Sequence, residues 1–116
     1  MMTKRPFYHL LMVSLALLLS ACGRQPGEAT LKIEAMQFNQ TELQVAAGQP
    51  VTLHIVNKDG YAHAFDMDAF DIHSPLAANE TVAITFTPEV PGSYSFYCGS
   101  PGHKAAGMVG TLLVTP

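Results

Sequence analysis

Apolar side chains recur at every second position through most of this chain, and that period constrains the fold more than any other feature. The sets are Leu31, Ile33 and Ala35; Leu43 and Val45; Val51, Leu53 and Ile55; Val82, Ile84 and Phe86; Tyr94, Phe96 and Cys98; and finally Leu112 and Val114. A two-residue repeat puts alternate side chains on one face, so each set predicts a short strand with one buried side. Turn signals separate the sets: Ala47-Gly48-Gln49-Pro50, Lys58-Asp59-Gly60, Pro88 through Pro91-Gly92, and the glycine-rich stretch from Gly99 to Gly110. Beyond residue 21 no stretch sustains a helical period. About seven short strands within residues 31–116 predict an all-β domain, a two-sheet antiparallel sandwich with Greek-key connections. Residues Asp66 to Asn79 interrupt the pattern with three aspartates and scattered apolar positions, and read as a long loop or a short helical turn.

The first 30 residues follow other rules. Lys4 and Arg5 precede an apolar run, Leu10 to Leu19, with the length and flanks of a secretory signal and too short for a comfortable membrane span. The run ends in Leu19-Ser20-Ala21-Cys22, which resembles the bacterial lipobox, whose cysteine is diacylated and becomes the new first residue; the alternative is an ordinary signal with a chance cysteine. Residues 1–21 are thus expected to be a lipoprotein signal peptide, and residues 22–30, with Pro26 and Gly27, a flexible tether from lipidated Cys22. Several acyl chains hold a protein durably on a membrane face. The expected location is a bacterial cell envelope, with the domain facing the periplasm or the outside; Gly23 does not resolve which membrane. Removing residues 1–21 leaves four basic residues against nine acidic ones, a net charge of −5. With no basic excess, nucleic acid is excluded as a partner. Charged residues make up 13% of the chain and hydrophobic ones 48%, a balance that excludes general disorder.

With Cys22 consumed by lipid, Cys98 is the sole free thiol in an oxidising compartment, an oxidation hazard that metal ligation would answer. The chain continues Gly-Ser-Pro-Gly-His103-Lys-Ala-Ala-Gly-Met108 into the last strand. A thiolate, an imidazole and a thioether thereby fall within one hairpin connection. Soft donors select copper over hard cations, and two histidines with one cysteine and a weak axial methionine make an electron-transfer copper site. A second histidine is needed. His63 follows the Asp59-Gly60 turn at the start of an expected strand and can reach the same end of the sandwich. His54 falls between Leu53 and Ile55, on the outward face of its strand, and is a poor candidate; His73, before Ser74-Pro75, remains an alternative to His63. Met36 and Met67 read as packing residues.

Residues 31–116 resemble a cupredoxin, the blue-copper fold. The resemblance rests on Cys98-x4-His103-x4-Met108, with Gly92-x-Tyr94 before it and Gly110-x-Leu112-x-Val114 after it. It implies one type 1 copper ion with His63, Cys98 and His103 as equatorial ligands and Met108 axial. It also implies an electron port where the C-terminal ligand histidine reaches the surface, here a patch of Pro101, Gly102, His103, Ala105 and Ala106 interrupted by Lys104. One departure stands out. Many members carry Asn directly after the first histidine, tying the two ligand loops together, whereas this chain has Ala64.

The function expected is one-electron transfer between redox protein partners by a monomeric, membrane-tethered carrier that is not an enzyme. Copper enzymes sharing the fold need a second copper centre, for which only His54 and His73 remain. A two-copper electron-entry site needs two cysteines in the loop, and Ser100 and Pro101 supply none. Copper delivery, storage or homeostasis in the envelope is the alternative.

Overall fold

The computed structural model describes residues 27–116. The signal peptide expected at 1–21 and the lipidation site expected at Cys22 lie outside the described residues. Nine strands and one 3-10 turn follow in chain order: β1 (Gly27–Glu34), β2 (Gln37–Phe38), β3 (Glu42–Ala46), β4 (Val51–Asn57), β5 (His63–Met67), the turn Asp68–Phe70, β6 (Ile72–Leu76), β7 (Thr81–Phe86), β8 (Gly92–Tyr97) and β9 (Val109–Thr115). One sheet has the order β2-β1-β4-β7 and the other β3-β9-β8-β5-β6. The two inner faces meet in one core that includes Leu31, Ile33, Leu53 and Ile55 from the first sheet and Phe65, Phe96, Leu112 and Val114 from the second.

The all-β, two-sheet sandwich agrees with the alternation in the sequence, and the differences lie in what alternation leaves unspecified. The period fixes faces, not partners. Two pairings are parallel, β1 with β4 and β3 with β9, so the sheets are mixed, not purely antiparallel. The strands beyond seven are β2, only two residues long, and β6, an edge strand that can hold Pro75 because its outer side needs no ladder partner. The stretch after Asp66 is therefore a strand end, a 3-10 turn and a strand.

The expected tether of residues 22–30 is too long at its C-terminal end. β1 begins at Gly27, whose amide donates to the Pro50 carbonyl at 2.8 Å, and residues Gly27 to Ile33 pair in register with Val51 to Asn57. Glu28 and Thr30 face solvent while Ala29 packs against the core, so this polar segment keeps the period with one small apolar residue. Ala35, expected on a buried face, is instead exposed. It and Met36 form the two-residue turn between β1 and β2, at φ of 51° and 58°. Left-handed backbone at both positions suits the twist of a tight hairpin but is costly for residues other than glycine.

Three phenylalanines pack beneath the future site. Phe96 lies 5.2 Å from Phe38 and 5.5 Å from Phe65 between ring centroids. Its ring sits so close to Gly110 that any Cβ there would clash, which accounts for a glycine inside β9.

Candidate metal centre

Buried Asn57, at the end of β4, organises the loop that leads to the centre. Its side-chain amide donates to the carbonyls of Tyr61 at 2.8 Å and Ala77 at 2.9 Å, and its oxygen accepts the Asp59 amide at 3.0 Å. All its polar capacity is directed at loop backbone, as a buried amide requires. His63 then opens β5 and is 2% exposed. From the other side β8 delivers Cys98, and the loop to β9 closes on itself. The Cys98 amide donates to the Met108 carbonyl at 3.0 Å, and the Met108 amide to the His103 carbonyl at 3.1 Å.

These elements bring three donor atoms together. The Nδ1 atoms of His63 and His103 lie 3.1 Å apart, and the Cys98 Sγ is 3.9 Å from the first and 3.4 Å from the second. From those three edges, the equidistant point lies roughly 2.0 Å from each donor, close to the about 2.0–2.1 Å nitrogen and 2.3 Å thiolate bonds of a first-row ion such as zinc. Among the described residues, His63, Cys98 and His103 form the one such cluster. Cys98 and Met108 are fully buried, and Met108 joins the core where the loop re-enters β9. His103 is partly exposed, and its neighbours along the loop, Pro101, Gly102, Ala105 and Ala106, are exposed. Lys104 swings aside, with its ammonium 4.1 Å from the centre of the Tyr97 ring, a cation-π contact.

Both donor types are restrained from outside. The Ala64 amide donates to the Cys98 Sγ at 3.3 Å, so the backbone of the residue after His63 supports the sulfur although its side chain cannot. On His63, Nε2 faces the Asp59 Oδ2 at 2.8 Å; with the proton on Nε2, Nδ1 is left as the lone-pair donor toward the centre. Asp59 also accepts the amides of Ala35 at 2.8 Å and Met36 at 3.0 Å, drawing in the β1–β2 turn. The Met36 amide is the main influence holding the Asp59 carboxyl down at about 2, from the usual 3.8; burial works against it, while His63 and the Ala35 amide add to it.

The other histidines are elsewhere. His54 sits half-buried on β4 opposite Ala83, and His73 is exposed on β6 with its ring against Asp66. The structure thus gathers His63, Cys98 and His103, and places His73 outside the cluster. Asn57, Asp59 and Asp66 escaped the sequence reading. Asp59 looked like an ordinary turn residue in Lys58-Asp59-Gly60, and its spacing to His63 carries no periodic signal. Ala64 hinted that another group ties the loops, without saying which.

The profile of the Cupredoxin-like domain family matches residues 9–114. The chain belongs to the cupredoxin family. This cupredoxin is 31% identical to auracyanin-A of Chloroflexus aurantiacus over 150 aligned positions, covering 89% of this chain and 92% of that one. It is 37% identical to the chloroplastic plastocyanin of Physcomitrium patens, covering 91% of this chain and 67% of that one. Among solved structures, auracyanin A, described as a "blue" copper protein of Chloroflexus aurantiacus, superposes with a TM-score of 0.67 at 25% identity, covering 78% of this chain and all of that one. The cofactor of this family is one type 1 copper ion. Two imidazoles and a thiolate, positioned as a metal site in this cupredoxin, form a donor set that suits it.

Proposed function

We propose that this cupredoxin carries single electrons between redox proteins while tethered to a membrane in a bacterial envelope. The observation that carries this reading is the convergence of one buried thiolate and two imidazoles, of which only His103 reaches the surface. Bound copper supplies a one-electron couple whose two states prefer different geometries, so a fixed compromise set requires little movement on transfer. The protein supplies the fixing. The Ala64 amide holds Cys98, Asp59 holds His63, and the loop's own backbone bonds hold His103 and Met108. His103, with small residues around it, lets a partner come close to a donor. Burial of His63, Cys98 and Met108 favours retention of the metal, hence a carrier over a protein that delivers or stores copper.

The direction of β1 supports the tether. Gly27 pairs with Val51 at one end of β4, whereas Asn57, at the other end, leads to His63. At about 3.3 Å per residue, the chain enters roughly 20 Å from the metal end. The described chain thus enters the domain at Gly27, remote from His103, an entry point that suits an anchor upstream of it and a free port.

Copper-loaded protein is expected to show strong blue thiolate-to-copper absorption, fast reversible reduction and negligible copper loss to a chelator. Ready transfer of copper to a metal-free acceptor would replace the carrier reading with delivery. For the anchor, Cys22→Ser is expected to abolish fatty-acid labelling and move the protein from the membrane to the soluble fraction; unchanged labelling refutes lipidation at that residue.

Met108→Leu is expected to keep the blue band and raise the reduction potential. Loss of a fourth donor leaves the lower coordination number that suits Cu(I) better than Cu(II), and each tenfold change in that preference corresponds to ~59 mV for one electron. Voltammetry reads the shift. An unchanged potential would show that Met108 is packing alone.

A further inference from the structure

Asp66 lies on β5, two residues beyond Ala64 and on the same face. Its Oδ2 accepts the Gly99 amide at 2.8 Å, and its Oδ1 accepts a hydrogen bond from the His73 Nδ1 at 2.9 Å. Asp66 is registered with His73 across the β5–β6 pair and with Tyr97 across the β5–β8 pair. Its side chain is 14% exposed. The carboxylate lies so close to Gly99 that a Cβ there would collide with it, so glycine follows Cys98 because Asp66 occupies the space. One carboxylate thus bridges the strand that starts at His63 to the residue after Cys98.

We propose that Asp66 is a positioning residue of the metal centre, locking the first residue of the Cys98–Met108 loop onto β5, with His73 clamping its carboxylate from the far side. The word metal rests on the copper reading; the lock does not. Ala64 leaves the tie between the two ligand segments without a side chain at its own position, and Asp66 supplies one from the next position on that face. His73 is drawn toward its protonated form, first by the hydrogen bond to Asp66, against partial burial, and then by the charges of Asp66, Asp68 and Asp71. Of the other groups nearby, Asp71 Oδ1 lies 3.7 Å from His73 Nε2, the Tyr97 hydroxyl donates to Asp68 at 2.9 Å, and Lys104 covers the Tyr97 ring.

The test is amide hydrogen exchange and proton resonance of Gly99, read by NMR on the full chain in detergent, metal-free and loaded with Cu(I). A charge-assisted hydrogen bond corresponds to about tenfold to hundredfold protection, so Asp66→Ala should speed Gly99 exchange by that factor while the Ile55 amide in the core is unchanged. Asp66→Asn, which keeps an acceptor oxygen, should recover part of the protection. In the parent the Gly99 proton resonance should follow the titration of His73, and His73→Gln should abolish that dependence. Gly99 exchange that is unchanged in Asp66→Ala, or that rises only in step with Ile55, overturns the proposal; if that variant does not fold, unchanged Gly99 exchange and resonance in Asp66→Asn and His73→Gln do the same. A protein that shows the Gly99 effect but binds no copper overturns the copper reading and leaves the lock standing.

Discussion

Cys98→Ser is expected to remove the blue absorption completely, and no other single substitution at the centre should do so with so little damage to the fold. The band requires a sulfur bonded to Cu(II), and Cys98 is the one free cysteine among the described residues. Copper affinity should fall by more than the roughly 10–100-fold that follows loss of an outer hydrogen-bond partner, because a donor itself is removed. The metal-free protein should lose only about 1 kcal/mol, since the serine oxygen can still accept the Ala64 amide that now donates to sulfur at 3.3 Å. Comparing copper titrations with metal-free melting curves separates the two effects. Retained colour would disprove the ligand assignment, and collapse of the metal-free fold would show that Cys98 acts first as core.

The same residues explain why so much of the centre was legible in the sequence. Cys98, His103 and Met108 sit in one connection between β8 and β9, so their separation along the chain nearly determines their separation in space. His63 was harder, because it comes from a different strand and competes with His54 and His73. The alternation of Leu53, His54 and Ile55 turns His54 outward, and the pairing of β6 with β5 sets His73 opposite Asp66. Nothing in single-strand periodicity could have shown the second point. Pairing partners and parallel order depend on which strands cross between sheets, a long-range choice that local alternation does not encode.

Charged residues at the centre were the least legible of all. Asp59 and Asp66 sit in segments that read as a turn and as an irregular acidic run, the settings in which a solvated aspartate is the ordinary expectation. Each instead accepts backbone amides from a segment far away in sequence: Ala35 and Met36 for Asp59, Gly99 for Asp66. Both carboxylates also hold a histidine, the metal-cluster His63 for Asp59 and the outlying His73 for Asp66, so each ties a histidine to the backbone of a distant segment. A positive-φ turn at Ala35-Met36 also becomes intelligible. Its left-handed backbone aims two adjacent amides at one carboxylate, an arrangement that offsets the cost of having no glycine there.

Asp59→Ala is therefore expected to be strongly destabilising. It removes the acceptor for three donors at once, the Ala35 and Met36 amides and the His63 Nε2, on a side chain that is only 10% exposed. Leaving such groups without partners should cost on the order of 2–4 kcal/mol. For a domain of this size that lowers the melting temperature by about 10–20 °C. The acid response supplies an independent check in metal-free protein. The folded-state carboxyl is held at about 2, below the usual 3.8, so its contribution is fully present above about pH 4 and is lost as pH falls toward 2. That difference amounts to about 2 kcal/mol, which the parent should lose between those limits and Asp59→Ala should not. Copper affinity should fall by about 10–100-fold as His63 loses the partner that fixes its tautomer. Denaturant unfolding at several pH values decides the matter. Parallel acid profiles for parent and variant would mean that the carboxylate is not held by these amides, and equal melting temperatures would mean that the β1–β2 turn stands without it.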